Sequence, residues 1–189
     1  MAMAGACSLR GKPSVGAPTS GCIIPVPSLG RSLAVRLGVA GDADFLRDVY
    51  IAGRWEEMAV TGWPAEAIQS FLVDQYRMQR RHYDGHYTGL ERWIIRRQGE
   101  NIGKILLLDT AQALRIVDIG LLPLHRGGGI GTALINWAKD LAVASGHGVV
   151  DLHVAPANPA RRLYLRLGFH GMEGGGVDER LEWRSVEGR

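Results

Sequence analysis

Six residues, Arg126-Gly127-Gly128-Gly129-Ile130-Gly131, separate an extended run from the clearest amphipathic helix of the chain. The run, Leu114 to Leu122, stops at Pro123. The helix carries Ile130, Ala133, Leu134, Trp137, Ala138, Leu141 and Ala142 at i, i+3, i+4, i+7, i+8, i+11 and i+12, and Gly146 or Gly148 ends it. A strand, a glycine loop and a helix in that order belong to an α/β fold. At such a junction free backbone N–H groups and the positive end of the helix dipole converge, which makes an anion site. Gly127, Gly128 and Gly129 remove the side chains that would keep a diphosphate from those amides, and Gly131 allows close approach at the first helical turn.

The elements around this junction follow from pattern and punctuation. Residues 1–31 are rich in Gly, Ser, Pro and Ala, lack apolar periodicity and carry no acidic residue, so they are expected to form a flexible extension ahead of one domain spanning 32–189. Leu33, Val35 and Leu37 alternate as a first strand, and Asp42 opens a helix with Phe45, Leu46, Val49 and Ala52 on one face. A second helix starts near Pro64, with Ile68, Phe71, Leu72 and Tyr76 together, and runs to a turn at Asp84-Gly85. Arg92–Arg97 and Ile102–Leu108 read as a hairpin. After the long helix come a strand at Val149–Val154 and a helix with Asn158 as N-cap, Pro159 at its first position and Gly168 past its end. Phe169–Met172, a glycine turn at 174–176 and Val177–Trp183 close the chain. There is no internal repeat.

Spacing narrows the ligand. A Walker loop needs Lys and then Ser or Thr after its last glycine, but Thr132 and Ala133 follow Gly131. A dinucleotide GxGxxG needs glycine at Thr132 or at Leu134, depending on its start. The pattern that does fit is Arg or Gln, two residues, Gly, one residue, then Gly or Ala, carried by Arg126, Gly129 and Gly131. In this the chain resembles the GCN5-related N-acetyltransferase (GNAT) family, whose preceding strand also ends much like Ile119-Gly120-Leu121-Leu122-Pro123. A second stretch, HVAPANPARRLYLRLGF from His153 to Phe169, is similar to that family's strand, Asn-started helix, tyrosine and GF ending. Both lie in family order, and the element order agrees from Leu33 to Trp183. Asn158 and Tyr164 are six residues apart, where many members have seven.

The resemblance implies a mixed, strongly twisted sheet of about six or seven strands with helices on both faces, and a cofactor wedged where two central parallel strands part. It implies transfer of an acetyl or other acyl group from coenzyme A to a primary amine by direct attack, with acetyl-CoA as co-substrate and no metal. The backbone from Ile119 through Leu121 to Leu122 would hold the pantetheine arm, and an N–H there would stabilise the developing oxyanion. Gly127 to Thr132 would take the diphosphate, with Arg126, Asn158 and Arg161 or Arg162 reaching the cofactor through fork-shaped guanidinium or amide contacts. Tyr164 is placed to protonate the leaving sulfur; it is otherwise a core tyrosine of its helix. Asp118, a carboxylate inside an apolar strand, is the first candidate for the base and otherwise a strand-face salt bridge; Glu57 is the second. His125 adjoins the loop. The acceptor pocket is expected from the first two helices, where Trp55, Trp63, Tyr83 and His86 lie near Glu56 and Glu57, or else these are ordinary core aromatics.

Composition bears on the partners. The net charge of +3 comes from Arg10, Lys12 and Arg31, and everything after Arg31 sums to zero, which argues against a nucleic-acid partner. Arg77 to Arg97 holds six arginines against Asp84 and Glu91, a solvated surface or a contact for an acidic group. Cys7 and Cys22 make no metal or disulfide framework, and no apolar run approaches the ~20 residues that span a bilayer. The expected compartment is the cytoplasm, and the expected partner a small-molecule or peptide amine. Pairing of two subunits is common in the resembling family. The competing reading is a catalytically silent acyl-CoA-binding or interaction module of the same fold.

Overall fold

The computed structural model describes residues 23–26, 32–172 and 177–185. Eight strands form one sheet in the order β1-β2-β3-β4-β5-β6-β8-β7. They are β1 (Ile23–Pro25), β2 (Leu33–Leu37), β3 (Glu91–Arg97), β4 (Glu100–Asp109), β5 (Leu114–Leu121), β6 (Val149–Val154), β7 (His170–Gly171) and β8 (Glu179–Arg184). Among the described residues four α-helices accompany them: α1 (Ala43–Ala59), α2 (Ala65–His86), α3 (Ile130–Ala144) and α4 (Arg161–Arg166). Every strand pair is antiparallel except β5 with β6, whose parallel run requires a crossover, and α3 supplies it. The sheet is larger than the six or seven strands expected. One added strand, β1, lies inside the segment read as an extension: Ile23–Pro25 pairs with Ala34–Arg36, and Val26 is fully buried.

β4 is buried on both faces over most of its length because helices cover the sheet on both sides. Ile105 and Leu107 point into the main core with Leu134, Ile135, Trp137 and Ala138 of α3, where Trp93 of β3 meets Trp137 edge-on at 5.7 Å. Lys104 and Leu106 point the other way, toward Leu46 of α1 and Tyr76 and Tyr83 of α2. α1 and α2 pack through a smaller cluster of Tyr50, Ile51, Ile68 and Leu72. Lys139 of α3 is buried, and its ammonium donates to the Leu167 carbonyl at the end of α4 while lying 5.3 Å from the Phe169 ring and 5.0 Å from that of Trp183. Burial, opposed by Asp140, holds its pKa below the ordinary lysine value.

Three local expectations change. α2 runs through Gly85 to His86, because Asp84 forms an ion pair with Arg80 one turn back, accepts Arg92 of β3 and stays in the helix; the chain turns instead at Gly89, with φ of +84°. Asn158 caps a preceding turn, its Oδ1 accepting the Ala160 N–H at 2.9 Å, so that α4 begins only at Arg161. β8 starts at Glu179, later than Val177. The glycine turn at 174–176, both cysteines, Arg10, Lys12 and Arg31 lie outside the described residues. Within the arginine-rich stretch, Arg77 pairs with Asp74 at 3.0 Å, and Arg80 and Arg92 share Asp84. Among the described residues no helix is long and apolar enough to cross a membrane.

Gly103 shows how tightly β4 and β5 are joined: a Cβ there would overlap the Gly120 carbonyl oxygen and stand 2.8 Å from Leu121 Cδ2. Gly103→Ala is therefore expected to cost about 1–3 kcal/mol and to lower the melting temperature by roughly 2–4 °C per kcal/mol. Thermal unfolding of the two proteins checks this, and an unchanged transition would mean that the strands can separate to admit a methyl group.

Candidate active site

β5 and β6 stay paired only over Leu114–Ile116 and Val150–Leu152. β4 follows β5 as far as Leu121, so from Asp118 onward the β6-facing edge of β5 is open. The Leu122 N–H bonds the Ile102 carbonyl on the β4 side at 2.9 Å. Alternation along the strand then turns the N–H groups of Ile119 and Leu121 to the open edge. Of the three residues expected at the pantetheine arm, Ile119 and Leu121 thus turn their N–H groups to the open edge, and Leu122 gives its N–H to β4. The divergence leaves two adjoining cavities of about 660 and 640 Å³, both lined by Ile119, Gly120, Leu121, Arg126, Ala160 and Tyr164.

The glycine loop borders the second cavity. Gly127 and Gly129 have φ of +80° and +77°, a region in which other L residues are strained. A Cβ on Gly127, Gly128 or Gly129 would meet nothing within 4 Å, so the space beside these three amides is free. The first intrahelical bond joins the Ala133 N–H to the Gly129 carbonyl at 3.1 Å, which leaves the N–H groups of Ile130, Gly131 and Thr132 without helical acceptors. The Ile130 side chain is buried in the core, so only its amide faces the loop. Gly131 answers to a different constraint: a Cβ there would stand 3.1 Å from Leu163 Cδ2, so its smallness brings α4 onto α3. An open, positively polarised cradle of this kind fits a diphosphate.

Arg126 donates through Nε to the Leu121 carbonyl at 3.1 Å, and its Nη2 lies 3.7 Å from where a Gly53 side chain would start. It therefore spans the cleft between β5 and α1. Asn158 lines the first cavity, while Thr132 and Arg166 line the second. Arg161, expected at the cofactor, is held by Glu179 of β8 at 2.6 Å and lines neither cavity. His125 also stays outside them.

Tyr164 of α4 borders both cavities and is only 6% exposed, with Phe169 edge-on at 5.9 Å. Burial, and secondarily the negative charge of Asp118, push its phenol up to about 12. The group is protonated throughout the physiological range and can serve as a proton donor. Asp118 lines the first cavity too, but its Oδ2 accepts the Lys104 ammonium at 2.6 Å, with side-chain exposures of 24% for the aspartate and 5% for the lysine. It is both a cleft carboxylate and half of an ion pair. Glu57, exposed on α1, lines the same cavity.

The expected aromatic pocket does not assemble. Trp55 packs on the α1–α2 cluster, Trp63 stands half exposed against Phe71, and His86 stacks on His82 at 4.3 Å. Tyr83 borders a small neighbouring cavity with Lys104, its phenol raised by burial. The residues that do form the α1–α2 side of the cleft are Tyr50, Arg54, Glu57, Gln79 and Lys104. Of these, Glu57 was expected from the sequence, and Lys104 left a trace there as the one charge inside the apolar run Ile102–Leu108.

A family model described as acetyltransferase (GNAT) family matches residues 54–169. Among solved structures, PaiA N-acetyltransferase from Thermoplasma acidophilum in complex with coenzyme A superposes with a TM-score of 0.63 at 19% identity, covering 81% of this chain and 99% of that one. Spermidine N-acetyltransferase from Vibrio cholerae, in complex with CoA and spermine, gives 0.56 at 22% identity, covering 82% and 96%. A GNAT family acetyltransferase from Elizabethkingia anophelis with acetyl-CoA bound gives 0.54 at 16%, covering 81% and 98%. At these identities the likeness is one of fold. No curated protein matches the sequence.

Because Lys104 is buried, removing its partner leaves an uncompensated charge. Asp118→Asn is expected to destabilise the protein by about 3 kcal/mol, and Lys104→Met with Asp118→Leu to recover most of that loss. Urea unfolding of both variants measures it. A double-variant loss as large as that of Asp118→Asn would mean that the cost of the single change does not come from an uncompensated Lys104 charge.

Proposed function

Because the chain belongs to the acetyltransferase (GNAT) family, we propose that it transfers an acetyl group from acetyl-CoA to a primary amine by direct attack in the cleft between β5 and β6. The observation that carries this reading is the convergence of three features on one cleft. These are a buried phenol held protonated, an open strand edge presenting the N–H groups of Ile119 and Leu121, and a glycine cradle at the start of α3. Acetyl-CoA supplies the acetyl group as an activated thioester.

Each of the chain's groups then has a task. Amides at Gly127 to Thr132 bind diphosphate, and Arg126 adds a cation at the cleft mouth. Ile119 and Leu121 donate to the arm and, at the reacting carbonyl, to the oxygen on which negative charge collects. Tyr164 gives its proton to the departing sulfur. The attacking ammonium must first lose a proton, and Asp118, with its Lys104 partner, is the first candidate to receive it; Glu57, which is exposed, is the second.

Three measurements test the reading. Calorimetry is expected to show acetyl-CoA binding to the parent protein and none to Gly129→Glu, which sets a carboxylate in the cradle; no binding by the parent would sink the proposal. Tyr164→Phe is expected to lower kcat by about a hundredfold with little change in the KM for acetyl-CoA. Since the phenol's pKa is raised, its acid form persists on the alkaline side, so the rate is expected to show no fall near about pH 10, where an ordinary tyrosine ionises. A descending limb there that vanishes in Tyr164→Phe would keep Tyr164 as the proton donor and contradict its raised pKa. Binding without turnover on any amine would leave a cofactor-binding module.

A further inference from the structure

On the α1–α2 side of the cleft one cation and one anion are left outside any ion pair. Lys104 and Asp118 neutralise one another at 2.6 Å. That leaves Arg54 and Glu57, one turn apart on α1, both lining the cavity that Tyr164 borders, and among the described residues neither is paired with an opposite charge. Arg54 is also set in place. Its guanidinium lies 4.9 Å from the centroid of the Tyr50 ring, and Tyr50 is itself buried and braced by Tyr76 at 5.6 Å. The Arg54 side chain also hydrogen-bonds that of Tyr50, and the guanidinium donors this leaves can meet a carboxylate with two parallel hydrogen bonds.

Beyond the reacting end the cleft continues into smaller cavities. Gln79 and Lys104 border both the cleft and a small cavity, and that cavity shares Tyr76, Arg80 and Arg92 with a further one of about 210 Å³. There Arg80 and Arg92 divide the single carboxylate of Asp84, so this space carries excess positive charge. A polyamine would bring further cations toward Arg54 and toward this pair of arginines. An acceptor with one amine and one carboxylate would instead pair its anion with Arg54 and present its nitrogen to the side of Asp118 and Tyr164.

We infer that the acceptor is a small amine that also bears a carboxylate, of amino-acid type, and that Arg54 on its Tyr50 platform holds that carboxylate. The inference rests on the acyltransferase reading and specifies its second substrate. The test is release of CoA thiol by the full chain with amino acids and dipeptides, each against its carboxamide, and with spermidine as a polycation. Carboxylate acceptors are expected to exceed their carboxamides by about tenfold or more in kcat/KM, the scale of one charge-assisted hydrogen-bond pair. Arg54→Met is expected to bring the ratio to within about twofold, chiefly through KM, and Arg54→Lys to keep part of it, since a point charge replaces the fork.

Equal or better use of carboxamides or of spermidine would overturn the inference, as would a carboxylate preference that survives in Arg54→Met. Should no acceptor turn over, calorimetry of the same pairs on the CoA-saturated protein decides it: preferential binding of the carboxylate members, lost in Arg54→Met, supports the inference, and its absence overturns it. Failure of acetyl-CoA itself to bind would instead count against the acyltransferase reading.

Discussion

Two parallel strands that pair for three residues and then separate set the terms for the rest of this molecule. Backbone donors and acceptors on the open edge of β5 have to be satisfied by something other than β6. Arg126 takes one of them, the Leu121 carbonyl. The N–H groups of Ile119 and Leu121 face the gap. On either side of it the chain has built walls that do not collapse inward: α3 and α4 on one flank, α1 on the other. Gly120 lets Val49 of α1 come close, since a Cβ there would stand 3.2 Å from the valine methyl. The cleft is held open by packing around it, and its polar groups are aligned before any ligand enters.

The parts of this arrangement that follow local rules were readable in advance. The periodicity of α3, the glycine loop, the succession of strands and helices along the chain and the position of Tyr164 before Gly168 and Phe169 all depend on residues close together in sequence. Asn158 did announce a helix, but a proline and an alanine intervene before regular turns begin at Arg161. Gly85 reads as a break and sits in a helix, because Arg80 and Arg92 hold its neighbour Asp84. β1 has a composition that gives no strand signal, and it owes its pairing to the exposed edge of β2.

What stayed hidden was contact between distant residues. Arg161 has the right chemistry for a phosphate and the wrong neighbour, Glu179, eighteen positions on. Lys104 and Asp118 lie fourteen residues apart on adjacent strands, and only the register of β4 against β5 makes them partners. The aromatic residues of α1 and α2 looked like a pocket because they are many. In three dimensions most of them stabilise the helix pair, and Tyr50 alone among the tryptophans and tyrosines of α1 lines the cleft.

Gly131 belongs to the glycine pattern, yet its own surroundings are internal: Leu163 of α4 lies against it. A side chain there would push away the helix that carries Tyr164, whether or not a diphosphate ever arrived. Half of what makes the loop recognisable is therefore a spacer between two helices, and a chain that had lost its chemistry would keep that glycine for as long as it kept its shape. At Gly127 and Gly129, left-handed residues with nothing beside them, it is the backbone conformation and not a neighbouring side chain that calls for glycine.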